Sequence, residues 1–459
     1  MADNISIEFG KHQHPSPLIF LSDDGVAGHV VVSNKGGTHF DSVRVILEGQ
    51  LHNSLCTIDG TCKEANRMEM GQKLIHMVHT QQSFQQRNQL PLRERVFPFH
   101  FTIPNHILIP NNGDSSTDMV HPLPPSMHVN VDSVMPSSGQ QRAFRGGCKV
   151  SYTLRAYIIL NGRPVGGTSR SIVLFPTLEP QPPSCTTDFP GEYVLSASSI
   201  LRSTVLYRRV GRLVMEAREP RELEFCRRNQ EASTAIHLKF MFHESREGSS
   251  SEPPPTPDFG VMGLKLKQMT FISVEPQRKL PATHDALVSP FIARDSKIIN
   301  SQSRKLKFSP WERSRYKGNV KEASGKVLFW AKKILNLNER ELTTHPLLQT
   351  QGRVWETSST LIFTFGNGGY PAPTFGSALV SRRYSLCMAL NIEGASHAIL
   401  ELEVPVQVVY RGSPQNELLR GGGFSGSRAL LNESQLLQML PRPPISGTAE
   451  DEEAPVYIA

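Results

Sequence analysis

Two pairs of histidines and one serine between glycines are the residues whose spacing could support chemistry in this chain. His12 pairs with His14 and His76 with His79, but no cysteine lies near either pair and neither belongs to a His-Glu-x-x-His helix. A metal site is therefore not predicted. The run GFSGS around Ser425 resembles a Gly-x-Ser-x-Gly nucleophile elbow only superficially, and it lies in a Gly-rich stretch without a preceding buried strand. We predict that the protein is not an enzyme and needs no cofactor.

The run Ala454-Pro455-Val456-Tyr457 near the C-terminus has the residue types of a peptide ligand. WW domains bind Pro-Pro-x-Tyr segments because the prolines preset an extended backbone and the tyrosine enters an aromatic-lined groove. Pro455 and Tyr457 match this degenerate motif, whereas Ala454 replaces the first proline. We predict partner binding through Pro455 and Tyr457, and an inert terminus is the alternative.

Positive charge is concentrated in residues 294–340, which hold thirteen Lys or Arg against four Asp or Glu. Each basic residue near an anionic membrane contributes about 1 kcal/mol of binding free energy. We predict contact with anionic lipid or phosphate through Lys305, Lys307, Lys332 and Lys333, and a solvated insertion without a partner is the alternative. A nucleic-acid role is not predicted, because no known RNA- or DNA-binding pattern accompanies the charge.

Short alternating strands are the elements that must position these residues. In residues 41–51, Val43 and Val45 share one face while Arg44 lies on the other, which is the pattern of a half-buried strand. Further strands are predicted over residues 28–36, 96–103, 150–160, 169–175, 212–218, 234–242, 264–274, 359–365, 382–392 and 399–410. The turn at 34–37 suits a hairpin between the first two strands. Because long helical patterns do not separate the strands, we predict an all-β fold with antiparallel sandwiches.

The length of 459 residues exceeds the size of a single hydrophobic core and favours two domains. Residues 176–192 carry five prolines and are interpreted as a hinge between sandwich domains at 1–175 and 193–411. The basic stretch at about 294–340 is interpreted as an extended or disordered insertion in the second domain, and residues 412–459 as a flexible tail.

The cellular compartment is predicted from two observations: the chain contains no long apolar run, and its N-terminus lacks the pattern of a secretory signal peptide. The six cysteines contain no CxxC pair and are interpreted as reduced structural thiols. A cytoplasmic location is therefore expected.

Short motifs occur in a fixed order in both halves of the chain. The first half contains FPFHFTIP, LPPSM and YTLRAYI, at residues 97–104, 123–127 and 152–158. The second half contains SRRYSL and LEVPVQVV, at residues 381–386 and 402–409. Together these motifs resemble those of arrestin-like proteins, in particular the α-arrestins of fungi. Met127 stands where this family usually has an aromatic residue, which is a departure from the pattern.

The resemblance implies two immunoglobulin-like β-sandwich domains in the arrestin fold. It also implies a cytoplasmic adaptor that is recruited peripherally to the plasma membrane or endosomes. Such adaptors link membrane transporters or receptors to a HECT-type ubiquitin ligase with WW domains, which leads to ubiquitination, endocytosis and protein transport. A ligase-independent membrane-surface scaffold, or a sorting-coat component similar to arrestin-shaped retromer subunits, is the alternative. A sandwich fold hosts many functions, so the strands alone select neither.

Overall fold

The structure is a computed structural model, and its described residues form almost nothing but β-strands. These residues are 4–9, 19–33, 40–58, 64–82, 94–109, 119–137, 140–181, 188–202, 209–226, 231–244, 259–313, 354–366, 369–392 and 399–412. They all belong to one compact unit, Met1–Glu417, and a second unit, Leu418–Ala459, lies outside them.

Up to Phe175, the described residues contain eleven strands and a 3-10 helix at Ser22–Asp24. The strands are β1 (Asn4–Glu8), β2 (Ile19–Leu21), β3 (Val26–Ser33), β4 (Ser42–Ile58), β5 (Glu64–Gln82), β6 (Glu94–Phe101), β7 (His106–Ile109), β8 (Met119–Pro122), β9 (Met127–Ser137), β10 (Gln140–Leu160) and β11 (Arg163–Phe175). We call this part of the chain the first half.

After Phe175, the described residues contain twelve strands and one short α-helix, α1 (Thr283–Val288). The strands are β12 (Ser196–Arg202), β13 (Arg209–Ala217), β14 (Leu223–Cys226), β15 (Ala232–Glu244), β16 (Phe259–Ser273), β17 (Ile292–Lys307), β18 (Glu312–Arg313), β19 (Val354–Phe365), β20 (Phe375–Gly376), β21 (Val380–Ile392), β22 (Ile399–Val406) and β23 (Val408–Arg411). We call this part the second half.

Two sheets enclose a hydrophobic cluster in the first half. One has the strand order β1-β3-β6, and the other has the order β2-β11-β10-β4-β5 with β9 also paired to β10. Side chains alternate along a strand, so β3 buries Val30 and Val32 while β10 buries Tyr152 and Leu154 in the same cluster. Burial of apolar surface contributes roughly 25 cal/mol per Å², which makes this cluster the main source of stability in the first half.

A second pair of sheets encloses its own cluster in the second half. The orders are β12-β13-β15-β19-β18 and β17-β16-β21-β20, with β22 also paired to β21. Phe240 and Phe363 from one sheet meet Leu264 and Leu386 from the other. The all-β fold predicted from the alternating pattern is therefore confirmed, and most strand pairs are antiparallel, with parallel pairing in β2–β11 and β14–β23.

Each of the two clusters contains residues from both halves. Ile19 and Phe175 of the first half lie in the second cluster, while Ile272 and Leu379 of the second half lie in the first. Segments on both sides of the predicted hinge thus contribute to both cores. The predicted domain boundaries themselves stay predictions.

The hairpin predicted across residues 34–37 is wrong. β3 pairs with β1 and β6, whereas β4 pairs with β10 and β5, so the two strands lie in different sheets. A Gly-rich turn permits a tight reversal but does not require one. Each strand instead buries its apolar face from an opposite side of the same cluster.

The interpretation of the beginning of the basic stretch as part of an extended or disordered insertion is also wrong. The first residues of the stretch belong to β17, a sixteen-residue strand that pairs with β16 from Ser273↔Ile292 to Phe259↔Lys307. β17 lies at the edge of its sheet, where exposed charged side chains are common because they discourage pairing with other chains. A strand with so few apolar residues does not show the alternation by which buried strands are recognised. Residues 314–350 lie outside the described residues.

Candidate functional site

The predicted site residues divide between one strand and the parts of the chain that are not described. Lys305 and Lys307 lie on β17 with exposed side chains. Lys332, Lys333, Pro455 and Tyr457 lie outside the described residues. The structure therefore places only Lys305 and Lys307, two residues apart on one strand.

Lys305 and Lys307 project from the outer face of the sheet formed by β17, β16, β21 and β22. Lys305 pairs with Val261, and Leu306 between the two lysines is buried in the second cluster. Two residues further along β16, Gly263 pairs with Ser303 of β17 and Ala389 of β21, which forms a row across the sheet. The next row on the same face contains Lys265 and Cys387. We call this surface the basic face. Short side chains in its middle row leave its lysines accessible.

Charge on the basic face is partly paired. The Lys267 ammonium lies 2.8 Å from the Glu403 carboxylate, which also accepts a hydrogen bond from the Ser385 hydroxyl. Lys265, Lys305 and Lys307 are exposed and form no ion pair with any described carboxylate. These three ammonium groups can contact an anion, each with a modest free energy because water screens the charge.

Thiol chemistry on this face is disfavoured. Burial raises the pKa of Cys387, and the neighbouring Glu403 carboxylate raises it further. Burial likewise raises the pKa of Cys148 to about 12. Because the thiolate is the reactive form, both thiols remain protonated near neutral pH. The described cysteines, Cys56, Cys148, Cys226 and Cys387, are free.

Candidate metal and nucleophile residues are not assembled into a site in the described part of the chain. His76 lies 3.3 Å from Glu48, which also pairs with Arg155, so this histidine belongs to a surface charge cluster. Groups of three or more metal-ligating side chains do not occur among the described residues. His12, His14 and Ser425 lie outside them.

Buried polar side chains between the halves are the functional feature that sequence analysis missed. The Asn53 amide donates to the backbone carbonyls of Ser273 at 2.7 Å and of Leu379 at 2.9 Å. In the second half, the Arg382 guanidinium donates to the Thr270 hydroxyl, and Arg382 is buried. The sequence pattern indicates that Asn53 is buried, because it occupies an inward-facing position of β4 between the buried residues Leu51 and Leu55.

The motifs that carry the arrestin resemblance serve the fold. The Tyr152 hydroxyl donates to the Pro124 carbonyl, and the Ser126 hydroxyl accepts from the Leu174 amide. In the second half, Tyr384 of the SRRYSL run is completely buried. These residues hold strands and loops of this chain in place, so the motifs have a structural role here.

Comparison with known proteins adds no family. The chain matches no model of a known protein family and no curated protein. Among the described residues, no helix is long and apolar enough to span a membrane.

Proposed function

We propose that this protein is a non-enzymatic adaptor that links membrane cargo to a HECT-type ubiquitin ligase with WW domains. The observation that supports it most is the union of two sandwiches in one compact unit, with buried contacts such as Asn53 between the halves. A body of this kind presents broad sheet faces for cargo, while a peptide motif recruits a second protein. The cargo is a membrane transporter or receptor, which the adaptor meets at the cytoplasmic surface.

Ligase recruitment is assigned to Pro455 and Tyr457. Replacing Tyr457 with alanine is expected to reduce co-precipitation of a WW-domain HECT ligase by about tenfold or more, because the aromatic side chain is an anchor of such peptides. The measurement is ligase recovered with full-length protein from cells. Pro443→Ala is the matched control, since this proline is not followed by tyrosine at the motif spacing. Equal recovery with wild type and Tyr457→Ala would show that the ligase assignment is wrong.

A ligase-independent membrane-surface scaffold is the second candidate, and the basic face favours it. The double variant Lys305→Glu, Lys307→Glu is expected to weaken binding to phosphatidylserine-containing vesicles by about tenfold or more, since each basic residue contributes about 1 kcal/mol. Flotation of full-length protein with these vesicles measures the effect. Raising the salt concentration should weaken wild-type binding as well.

A matched control separates the basic face from net charge. Lys149→Glu with Lys279→Glu makes the same change in charge at two exposed lysines on other surfaces. This control should bind vesicles almost as well as wild type. Equal losses in both double variants would mean that total charge, and not the basic face, determines binding.

A further inference from the structure

Arg383 is a buried charge on the outer face of β21, at the end of the sheet remote from Lys305. One guanidinium nitrogen, Nη2, donates to both carboxylate oxygens of Glu192, at 2.9 and 3.1 Å, and to the Pro281 carbonyl at 2.9 Å. The Glu192 side chain is fully inaccessible and that of Arg383 is 8% exposed. Burial lowers the pKa of Arg383, and the Glu192 carboxylate acts against that shift.

Aromatic rings enclose the same guanidinium. Its central carbon lies 4.0 Å from the centroid of the Phe189 ring and 4.4 Å from that of Phe271. A planar guanidinium suits such contacts, which a lysine ammonium does not reproduce. The aromatic contacts and the carboxylate together offset part of the cost of removing this charge from water, while Nε and Nη1 of Arg383 are buried without a hydrogen-bond partner among the described residues.

Three segments of the chain meet at this ion pair. Glu192 and Phe189 belong to residues 188–194, which follow the proline-rich stretch and which we call the strap. Glu192 also accepts a hydrogen bond from the Thr283 amide at the start of α1. At the end of the strap, Val194 exchanges two backbone hydrogen bonds with Glu403 of β22.

An apolar cluster lies beneath the strap. Tyr193 of the strap packs with Phe271 and Ile292 of the sheet and with Ala286 of α1. Burial, above all, raises the pKa of Tyr193 to about 12, so its hydroxyl stays neutral at physiological pH. The strap thus covers apolar surface and a buried charge at once.

We propose that the Arg383–Glu192 pair is a latch that holds the strap on the sheet, with a closed state and an open state. Burying either charge without its partner is costly. If the pair is broken, we therefore expect both groups to become exposed to water, and not merely to shift slightly within the buried site. In the open state the strap leaves the sheet and uncovers Phe271 and Ile292.

Hydrogen exchange followed by mass spectrometry on the full chain tests the latch without any partner protein. Glu192→Gln is expected to speed amide exchange in peptides containing Val194 and Thr283 by about tenfold or more, because local opening sets their rate. Exchange in β13 and β15 of the same half should not change. Glu356→Gln is the matched control, because its partner Lys239 lies 3.1 Å away at an exposed site.

Two further variants distinguish the latch from general stability. Arg383→Lys keeps the positive charge but should open the strap as Glu192→Gln does, whereas Phe189→Ala should produce a smaller increase in strap exchange. Unchanged strap exchange in Glu192→Gln and Arg383→Lys would overturn the proposal. So would a uniform increase across β13, β15 and the strap. Hydrogen exchange does not depend on ligase or vesicle binding, so the latch proposal is tested separately from the proposed function.

Discussion

Replacing Tyr410 with alanine is expected to lower the free energy of unfolding by about 3–5 kcal/mol, the range for removing a large buried aromatic side chain. The Tyr410 ring stacks on Phe225 at 5.4 Å between centroids and contacts Phe175 at 5.0 Å. Its hydroxyl donates to the Pro371 carbonyl at 2.6 Å. Burial raises the pKa of Tyr410 well above its ordinary value, so this donor remains protonated. The alanine variant loses all of these contacts and leaves a cavity.

Tyr410→Phe is the matched control for that prediction. Phenylalanine keeps the ring contacts and removes one hydrogen bond, so the expected loss is about 1–3 kcal/mol, the cost of an unsatisfied buried carbonyl. Urea unfolding of both variants, monitored by circular dichroism and fluorescence, gives the two values. Equal losses for alanine and phenylalanine would show that ring packing at this position contributes little.

Asn53→Ala is expected to lower the free energy of unfolding by about 2–3 kcal/mol. Two carbonyls of the second half lose a buried donor, although the Leu379 carbonyl keeps its bond from the Ser273 amide. The same urea titration measures the effect. Asn130→Ala, at an exposed position of β9, is the control and should change stability by less than about 0.5 kcal/mol.

An Asn53→Asp variant sharpens this test. A carboxylate at this position would face two carbonyl oxygens and would be buried without a donor, so it should destabilise the protein more than alanine does. If aspartate and alanine were equally harmful, the amide donor would not be the reason why asparagine stands at this position.

Strands with a buried face could be predicted from the sequence, and polar edge strands could not. β3 and β4 show apolar residues at every second position, so their existence was predicted correctly. β5 was missed because its nineteen residues are mostly polar, and Leu74 and Ile75 are its buried apolar residues among those described. Sheet pairing of such a strand depends on its neighbour, which periodicity along one segment cannot reveal.

For the candidate site, only the exposure of individual side chains could be predicted from the sequence, because it depends on local composition. Exposure of Lys305 and Lys307 follows from their charge, but their place on an edge strand required the pairing with β16. Arg383 shows the opposite case, because a lone arginine in a strand pattern looks solvent-exposed. Its burial depends on Glu192, which lies 191 residues away along the chain. Sequence spacing carries no information about such a contact.

Parallel pairing of β2 with β11 has a consequence for synthesis of the protein. Ile19 pairs with Val173, so β2 has no partner until about 150 further residues have been translated, which takes roughly 8–30 seconds at ordinary ribosome speeds. Ile19 and Leu21 then pack in a cluster that also needs Tyr410. A nascent chain must therefore carry β2 as an unpaired apolar segment while these residues are made, and its packing in the second cluster is completed only when Tyr410 has been translated.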